Sequence, residues 1–77
     1  MIPLSNHGYL IIIEQAPANY GAWAPDLPGC VATGATVEEC EAEMRDAISF
    51  HLEGMRIAGE AIPQPAAVAT SVVDIAV

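Results

Sequence analysis

The first third of the chain contains two runs of strand-forming residues separated by turn residues. Residues 9–14 (YLIIIE) are rich in β-branched side chains and lie between Gly8 and the turn-forming residues 16–19. This pattern predicts a first strand over Tyr9–Glu14. Residues 20–24 predict a second strand, and the short spacer between the two runs favours an antiparallel hairpin.

A proline-rich loop and a third strand follow the hairpin. Pro25, Pro28 and Gly29 exclude regular structure from residues 25–29, because proline lacks an amide donor and glycine permits unusual backbone angles. Residues 30–33 then predict a short third strand.

A capping box at residues 36–39 (TVEE) predicts the start of a helix. In such a box the Thr36 hydroxyl accepts a hydrogen bond from a helix amide, and Glu39 reaches back towards the cap. Apolar residues then recur every three or four positions, which predicts an amphipathic helix that ends near Ala58 with Gly59 as a left-handed cap. The predicted apolar face consists of Val37, Cys40, Met44, Ala47, Ile48, His51, Leu52 and Met55.

The rest of the chain predicts a connection and a last strand. Two prolines favour an extended connection within residues 60–70, and the β-branched run Ser71–Val77 predicts a final strand. The predicted order is βββαβ. We therefore expect an α+β fold, a single domain over residues 1–77, in which one amphipathic helix packs on a mostly antiparallel sheet.

One helix leaves the second face of such a sheet uncovered. The run 9–13 is apolar at every position and must point side chains to both faces, whereas a single helix covers one of them. A domain of 77 residues also gains from a second subunit, because small domains bury a small share of their surface. We expect a homodimer or a higher even-numbered oligomer with Tyr9, Ile11, Ile12 and Ile13 at its interface.

The charge balance is strongly acidic and limits the kind of partner. Ten acidic residues face two arginines and no lysine, which gives a formal net charge of -8. Direct binding to nucleic acid is therefore not expected, because phosphates need several cations on one surface. A basic protein would be attracted, although acidity can also serve solubility alone.

Other features limit the chemistry and the location. Cys30 and Cys40 have neither the spacing of a zinc site nor the number of a disulfide framework, so we expect buried thiols and neither metal nor cofactor. The sequence has neither the charged start of a signal peptide nor an apolar run long enough for a membrane span. A cytoplasmic protein is expected.

Catalysis is not expected, since a metal nuclease would need several carboxylates that converge from different strands. The acids outside the helix and its end are Glu14, Asp26 and Asp74, and each has a simpler explanation at a strand end, in a turn or in solvent. Trp23 and Tyr20 could anchor a partner or fill the core, and the small size of the domain favours the core.

Several groups of residues resemble the HicB family of antitoxins. They are residues 25–31 (PDLPGCV), then Gly34, Thr36 and residues 38–39, and later residues 51–55 (HLEGM), 59–60 and 62–65 (IPQP). The resemblance extends from about Tyr9 to Val77 and implies a partial RNase H-like fold, in agreement with the order βββαβ.

The resemblance also implies a function. HicB proteins bind HicA, a small basic ribonuclease toxin, and cover its active site. The expected function is therefore an antitoxin-like module that sequesters a HicA-type mRNA-cleaving toxin, and the alternative is a stand-alone structural or regulatory homo-oligomer. HicB proteins often carry a C-terminal DNA-binding segment, which is not expected here. The acids expected to bind the partner are Asp26, Glu41, Glu43, Asp46 and Glu53, although for any single one of them a solvated surface position is the simpler interpretation.

Overall fold

The computed structural model describes residues 2–3 and 8–77, which form five strands and one helix. The elements are β1 (Ile2–Pro3), β2 (Ile12–Gln15), β3 (Tyr20–Trp23), β4 (Val31–Gly34), α1 (Val37–Ile57) and β5 (Ala69–Thr70). Strands β2, β3 and β4 form an antiparallel sheet in that spatial order, and β1 and β5 form a separate antiparallel pair. The predicted α+β class and the order βββαβ are confirmed, with β1 as an additional strand before them.

The first strand begins later than predicted. Ladder pairing starts at Ile12, opposite Trp23, and continues to Gln15, opposite Tyr20. Tyr9 lies before the ladder, and its hydroxyl donates a hydrogen bond to the backbone carbonyl of Pro63. The β-branched run therefore forms a strand only where β3 lies opposite it, because a strand requires a partner as well as suitable side chains.

Side chains of the sheet separate into two faces because successive residues of a strand point in opposite directions. Ile13, Ala22 and Ala32 lie opposite one another and face the helix, where they belong to the core or pack against it. Ile12, Trp23 and Val31 lie opposite one another on the other side. We call this side the open face, since no element within residues 8–77 packs over it as α1 does over the helix side.

The helix forms as its caps predict. The Glu39 amide donates to the Thr36 hydroxyl at 3.0 Å, and Gly59 has a φ of 75°, the left-handed conformation of a C-terminal cap. Cys40 and Met44 are the helix residues that are fully buried. They pack with Leu27 in a small core, which agrees with the low aromatic content of the chain.

Gly34 allows the helix to start close to the end of β4. A β-carbon placed on Gly34 would lie 2.5 Å from the Cys40 amide nitrogen and 2.7 Å from its α-carbon. The first turns of α1 therefore pack directly on β4, and contact with β3 is smaller and with β2 smaller still. The helix therefore packs mainly on β4, and a groove lies between α1 and β2.

The prediction of a final strand over Ser71–Val77 is wrong. The strand after the helix is Ala69–Thr70, and it pairs with Ile2–Pro3 rather than with the three-stranded sheet. The Asp26 carboxylate accepts hydrogen bonds from the Ala66 and Ala67 amides at 3.0 and 3.2 Å. Together with the bond from Tyr9, these contacts hold the connection that precedes β5.

Candidate protein-binding surfaces

One stripe of the helix carries most of the predicted partner-binding residues. Glu43, Asp46, Phe50, Glu53 and Ile57 follow one another at intervals of three or four residues, so they share one side of α1. All five are exposed. We call this stripe the outer face. It extends for about 21 Å along the helix, at 1.5 Å per residue.

Two large apolar side chains interrupt the acids of the outer face. Phe50 is 83% exposed and Ile57 is 73% exposed. Burial of such side chains against a partner is favourable, and aromatic residues often dominate protein interfaces. Neither Phe50 nor Ile57 was among the residues predicted to bind a partner. The available signal was their position among the charged residues, away from the apolar face of the helix.

The outer face is electrically negative. The two arginines of the chain pair with Glu41 and Glu53, so neither guanidinium neutralises Glu43 or Asp46. Arg56 Nε donates to Glu53 at 3.0 Å, and this hydrogen bond holds the pKa of the Glu53 carboxyl below its usual value. Glu53 is therefore ionised at neutral pH and is partly compensated by Arg56.

The other two predicted partner-binding acids lie elsewhere. Glu41 lies on the opposite flank of α1, where it accepts a 3.4 Å hydrogen bond from Arg45. Asp26 is partly buried in the loop after β3, and its carboxylate holds the backbone of residues 66–67. The structure thus brings Glu43, Asp46 and Glu53 together and separates Glu41 and Asp26 from them.

The predicted oligomer-interface residues are divided between two surfaces. Tyr9, Ile11 and Ile13 pack against the core, while Ile12 lies on the open face. A groove of about 480 Å³, which we call the β2 groove, lies between α1 and β2. Its lining includes Tyr9, Ile11, Ile13, Arg45, Ile48 and Ser49.

The open face contains an aromatic residue that was expected in the core. Trp23 is 41% exposed, and its indole nitrogen donates to Glu14 at 2.7 Å. Tyr20, by contrast, packs against the core as expected. The difference follows from strand alternation, because Trp23 lies one position from Ala22 and therefore points away from the helix.

Other features of the described chain bear on chemistry and location. Cys30 and Cys40 are buried free thiols, as predicted, and burial raises the pKa of the Cys30 thiol. Among residues 8–77, histidines, cysteines and carboxylates do not gather in a group of three or more that could hold a metal ion. The helix of the described residues is not apolar enough over a sufficient length to cross a membrane.

The fold defines a small α+β module with exposed acidic and apolar side chains on its helix and its sheet. Residues 9–75 match the family model described as the HicB-like antitoxin of bacterial toxin–antitoxin systems. The match covers most of the chain, and the protein belongs to the HicB-like antitoxin family. The resemblance carried by the sequence motifs is confirmed.

A phage protein is also similar to this chain. The two are 41% identical over 56 residues, and the relative is described as an uncharacterized 14.9 kDa protein in the rep-hol intergenic region of Haemophilus phage HP1 (strain HP1c1). The alignment covers 73% of this chain and 42% of the phage protein. The chain therefore spans less than half of that relative.

Proposed function

We propose that this protein is the antitoxin of a small basic ribonuclease toxin of the HicA type, and that it binds the toxin through the outer face of α1. The observation that carries the proposal is the exposure of Phe50 in a stripe that also contains Glu43 and Asp46. Membership of the HicB-like antitoxin family supports the general role, and the chemistry of the outer face supports the choice of surface.

The outer face has the two properties that a basic partner requires. Exposed Phe50 and Ile57 supply apolar area for the centre of an interface. Glu43 and Asp46 supply negative charge that no arginine of the chain neutralises. Charge of this kind mainly speeds encounter, whereas the buried aromatic anchor slows dissociation.

Inhibition by this surface needs no reaction. A ribonuclease must expose cations around its active site in order to hold the phosphates of RNA. Carboxylates on the outer face can occupy those cations and compete with the substrate. The protein therefore acts as a binding partner in the cytoplasm, where the messenger RNA is, and has no catalytic residues in this proposal.

The test uses a neighbouring reading frame, one that encodes a short protein rich in lysine and arginine. Expression of that protein alone should arrest growth, and co-expression of this chain should restore growth and give a complex in a pull-down. Phe50→Ala should weaken the complex by about 30-fold, which corresponds to ~2 kcal/mol for an interface hot spot.

Val31→Ala is the matched control, because Val31 is also an exposed apolar residue, at 66%, but lies on the open face. It should leave rescue and affinity unchanged. Equal losses for the two variants would reject the outer face as the binding surface. If the two proteins neither co-purify nor alter growth together, the antitoxin function fails, and the stand-alone homo-oligomer takes its place.

The homo-oligomer is a proposal in its own right, and it is compatible with toxin binding. Trp23 and Val31 are exposed on the open face, and the apolar segment after β5 is exposed along its whole length. Both features favour self-association of a small domain. Light scattering at micromolar concentration should give a mass of at least two chains, and a stable monomer would reject the proposal.

A further inference from the structure

Residues Ser71–Val77 have the composition of a strand but lack the surroundings of one. All seven are exposed, including Val72 at 88%, Val73 at 74% and Ile75 at 72%. Branched side chains of this kind favour strands, where they pack against a neighbouring strand and the layer beneath. The segment is therefore in a state that leaves a large apolar area in water.

The side of β2 that faces away from β3, which we call the β2 edge, lacks a neighbouring strand among the described residues. Strand β2 pairs with β3 on one side, and no described strand pairs with its other side. Residues along that side present backbone donors and acceptors that can extend the sheet. The β2 groove lies beside the same edge, and its apolar lining includes Ile11, Ile13 and Ile48.

We infer that Ser71–Val77 of one copy adds as a strand to the β2 edge of a second copy, and that two copies exchange these segments reciprocally. The inference rests on the homo-oligomer proposed above and is independent of the toxin. Addition of an extended segment to a free sheet edge is a common mode of recognition. A reciprocal exchange closes a twofold dimer, in which both copies use the same surfaces.

The dimensions and the alternation of the segment fit this edge. Seven extended residues span about 23 Å, which is longer than the four residues of β2 and also reaches the chain before it, where Tyr9 and Ile11 line the β2 groove. Val73, Ile75 and Val77 share one side of an extended segment and would enter the β2 groove. Asp74 lies on the other side, in solvent.

The charge distribution permits this contact between two acidic chains. Each chain carries a formal charge of -8, so self-association requires surfaces with few acids. The segment contains one acid, Asp74, and β2 also contains one, Glu14. Glu41 lines the β2 groove as well, and Arg45 pairs with it there. The outer face, with its uncompensated carboxylates, would stay outside this interface and remain free for a basic partner.

The choice of a second copy follows from the anchoring of the connection. Asp26 holds the Ala66 and Ala67 amides, Tyr9 bonds to the Pro63 carbonyl, and β5 pairs with β1. The connection is therefore held by these contacts, β5 pairs with β1 rather than with the three-stranded sheet, and the segment that follows is fully exposed. The free edge that it can extend is therefore that of a neighbouring molecule.

A pair of charge substitutions tests the inference. Ile75→Asp puts a carboxylate into the groove, whereas Ala76→Asp puts the same charge on the solvent side of the strand. Light scattering should show a dimer for the unmodified chain and for Ala76→Asp, and half that mass for Ile75→Asp. A dimer that persists in Ile75→Asp, or that both variants abolish, would overturn the inference. Circular dichroism will confirm that the exposed substitutions leave the fold intact.

Cross-linking between two differently substituted chains distinguishes exchange from docking within one chain. A Ser49→Cys chain is mixed with an Ile75→Cys chain and treated with a short bismaleimide. The native thiols are buried and serve as the unreactive background. A covalent product that contains one chain of each kind is expected. If only a double variant cross-links, and does so within single chains, the exchange does not occur.

Two further outcomes distinguish the strand exchange from a dimer formed at the open face and from toxin binding at the outer face. Dissociation by Ile12→Lys but not by Ile75→Asp would assign the dimer to the open face and overturn the exchange. Toxin binding by the Ile75→Asp monomer should equal that of the unmodified chain, because the outer face is not altered. The loss of the dimer and the loss of toxin binding are therefore separate readouts, each with its own variant.

Discussion

At the scale of single residues, two glycines differ in the space that is available for a side chain. Gly34 lies against the backbone of Cys40, so a methyl group there would lie 2.5 Å from the amide nitrogen. Gly54 is an exposed helix residue, and a β-carbon there would meet nothing within 4 Å. The same substitution should therefore have opposite effects at the two positions.

We expect Gly34→Ala to lower the free energy of unfolding by about 1–3 kcal/mol, because helix and strand must separate to admit the methyl group. Gly54→Ala should raise it by about 0.5–1 kcal/mol, the difference between the two residues in a helix interior. Urea unfolding followed by circular dichroism measures both. A neutral Gly34→Ala would show that α1 and β4 can move apart freely.

Cys30 gives a pH dependence that can be calculated in sign. Burial raises the pKa of its thiol, so the folded chain holds the proton at a pH where the unfolded chain has lost it. The stability that this provides is complete below the ordinary thiol pKa of about 8.5 and is lost as the pH rises further. The urea midpoint of the unmodified chain should therefore fall more steeply above that pH than the midpoint of Cys30→Ala. Parallel profiles would contradict the burial of Cys30.

At the scale of elements, Thr36 tests where the helix begins. Its hydroxyl accepts the Glu39 amide, so Thr36→Ala should lower the free energy of unfolding by about 1 kcal/mol. Thr36→Ser keeps an accepting hydroxyl and should stay within a few tenths of a kcal/mol of the unmodified chain. The comparison of denaturant midpoints isolates the cap from other effects of the residue.

The secondary-structure elements that could be predicted from the sequence are those that local chemistry specifies. Thr36 and Gly59 fix the ends of α1 because a cap acts within a few residues. The final strand was misplaced because the residues of Ser71–Val77 favour a strand but cannot specify its partner. The observed pairing joins Ala69–Thr70 to Ile2–Pro3, and Asp26 holds the amides of residues 66–67; both are contacts between distant positions that no local pattern reveals.

The candidate site was found only in part, and for a related reason. Glu43, Asp46 and Glu53 could be grouped because helical spacing places them on one side of α1. Phe50 was missed because a single apolar residue among charged positions is a weak signal until its exposure is known. Asp26 was included as a surface acid, although its carboxylate holds backbone of the same chain.

At the scale of the whole molecule, the position of charge matters more than its total. The double variant Glu43→Gln with Asp46→Asn should slow association with the proposed basic toxin several-fold and reduce its dependence on salt, with less change in the dissociation rate. Glu38→Gln with Glu60→Gln removes the same charge from exposed positions outside the outer face and is the matched control. Stopped-flow association at several salt concentrations measures both. Equal effects would show that only net charge attracts the partner.

The open face also contains the one tryptophan of the chain, which makes its fluorescence a local reporter. An indole in contact with water emits at longer wavelength than a covered one, and Trp23 lies on the side of the sheet away from α1. Toxin bound at the outer face and segments exchanged at the β2 edge should both leave its emission maximum unchanged. A shift to shorter wavelength on mixing would therefore mean that a molecule has covered the open face.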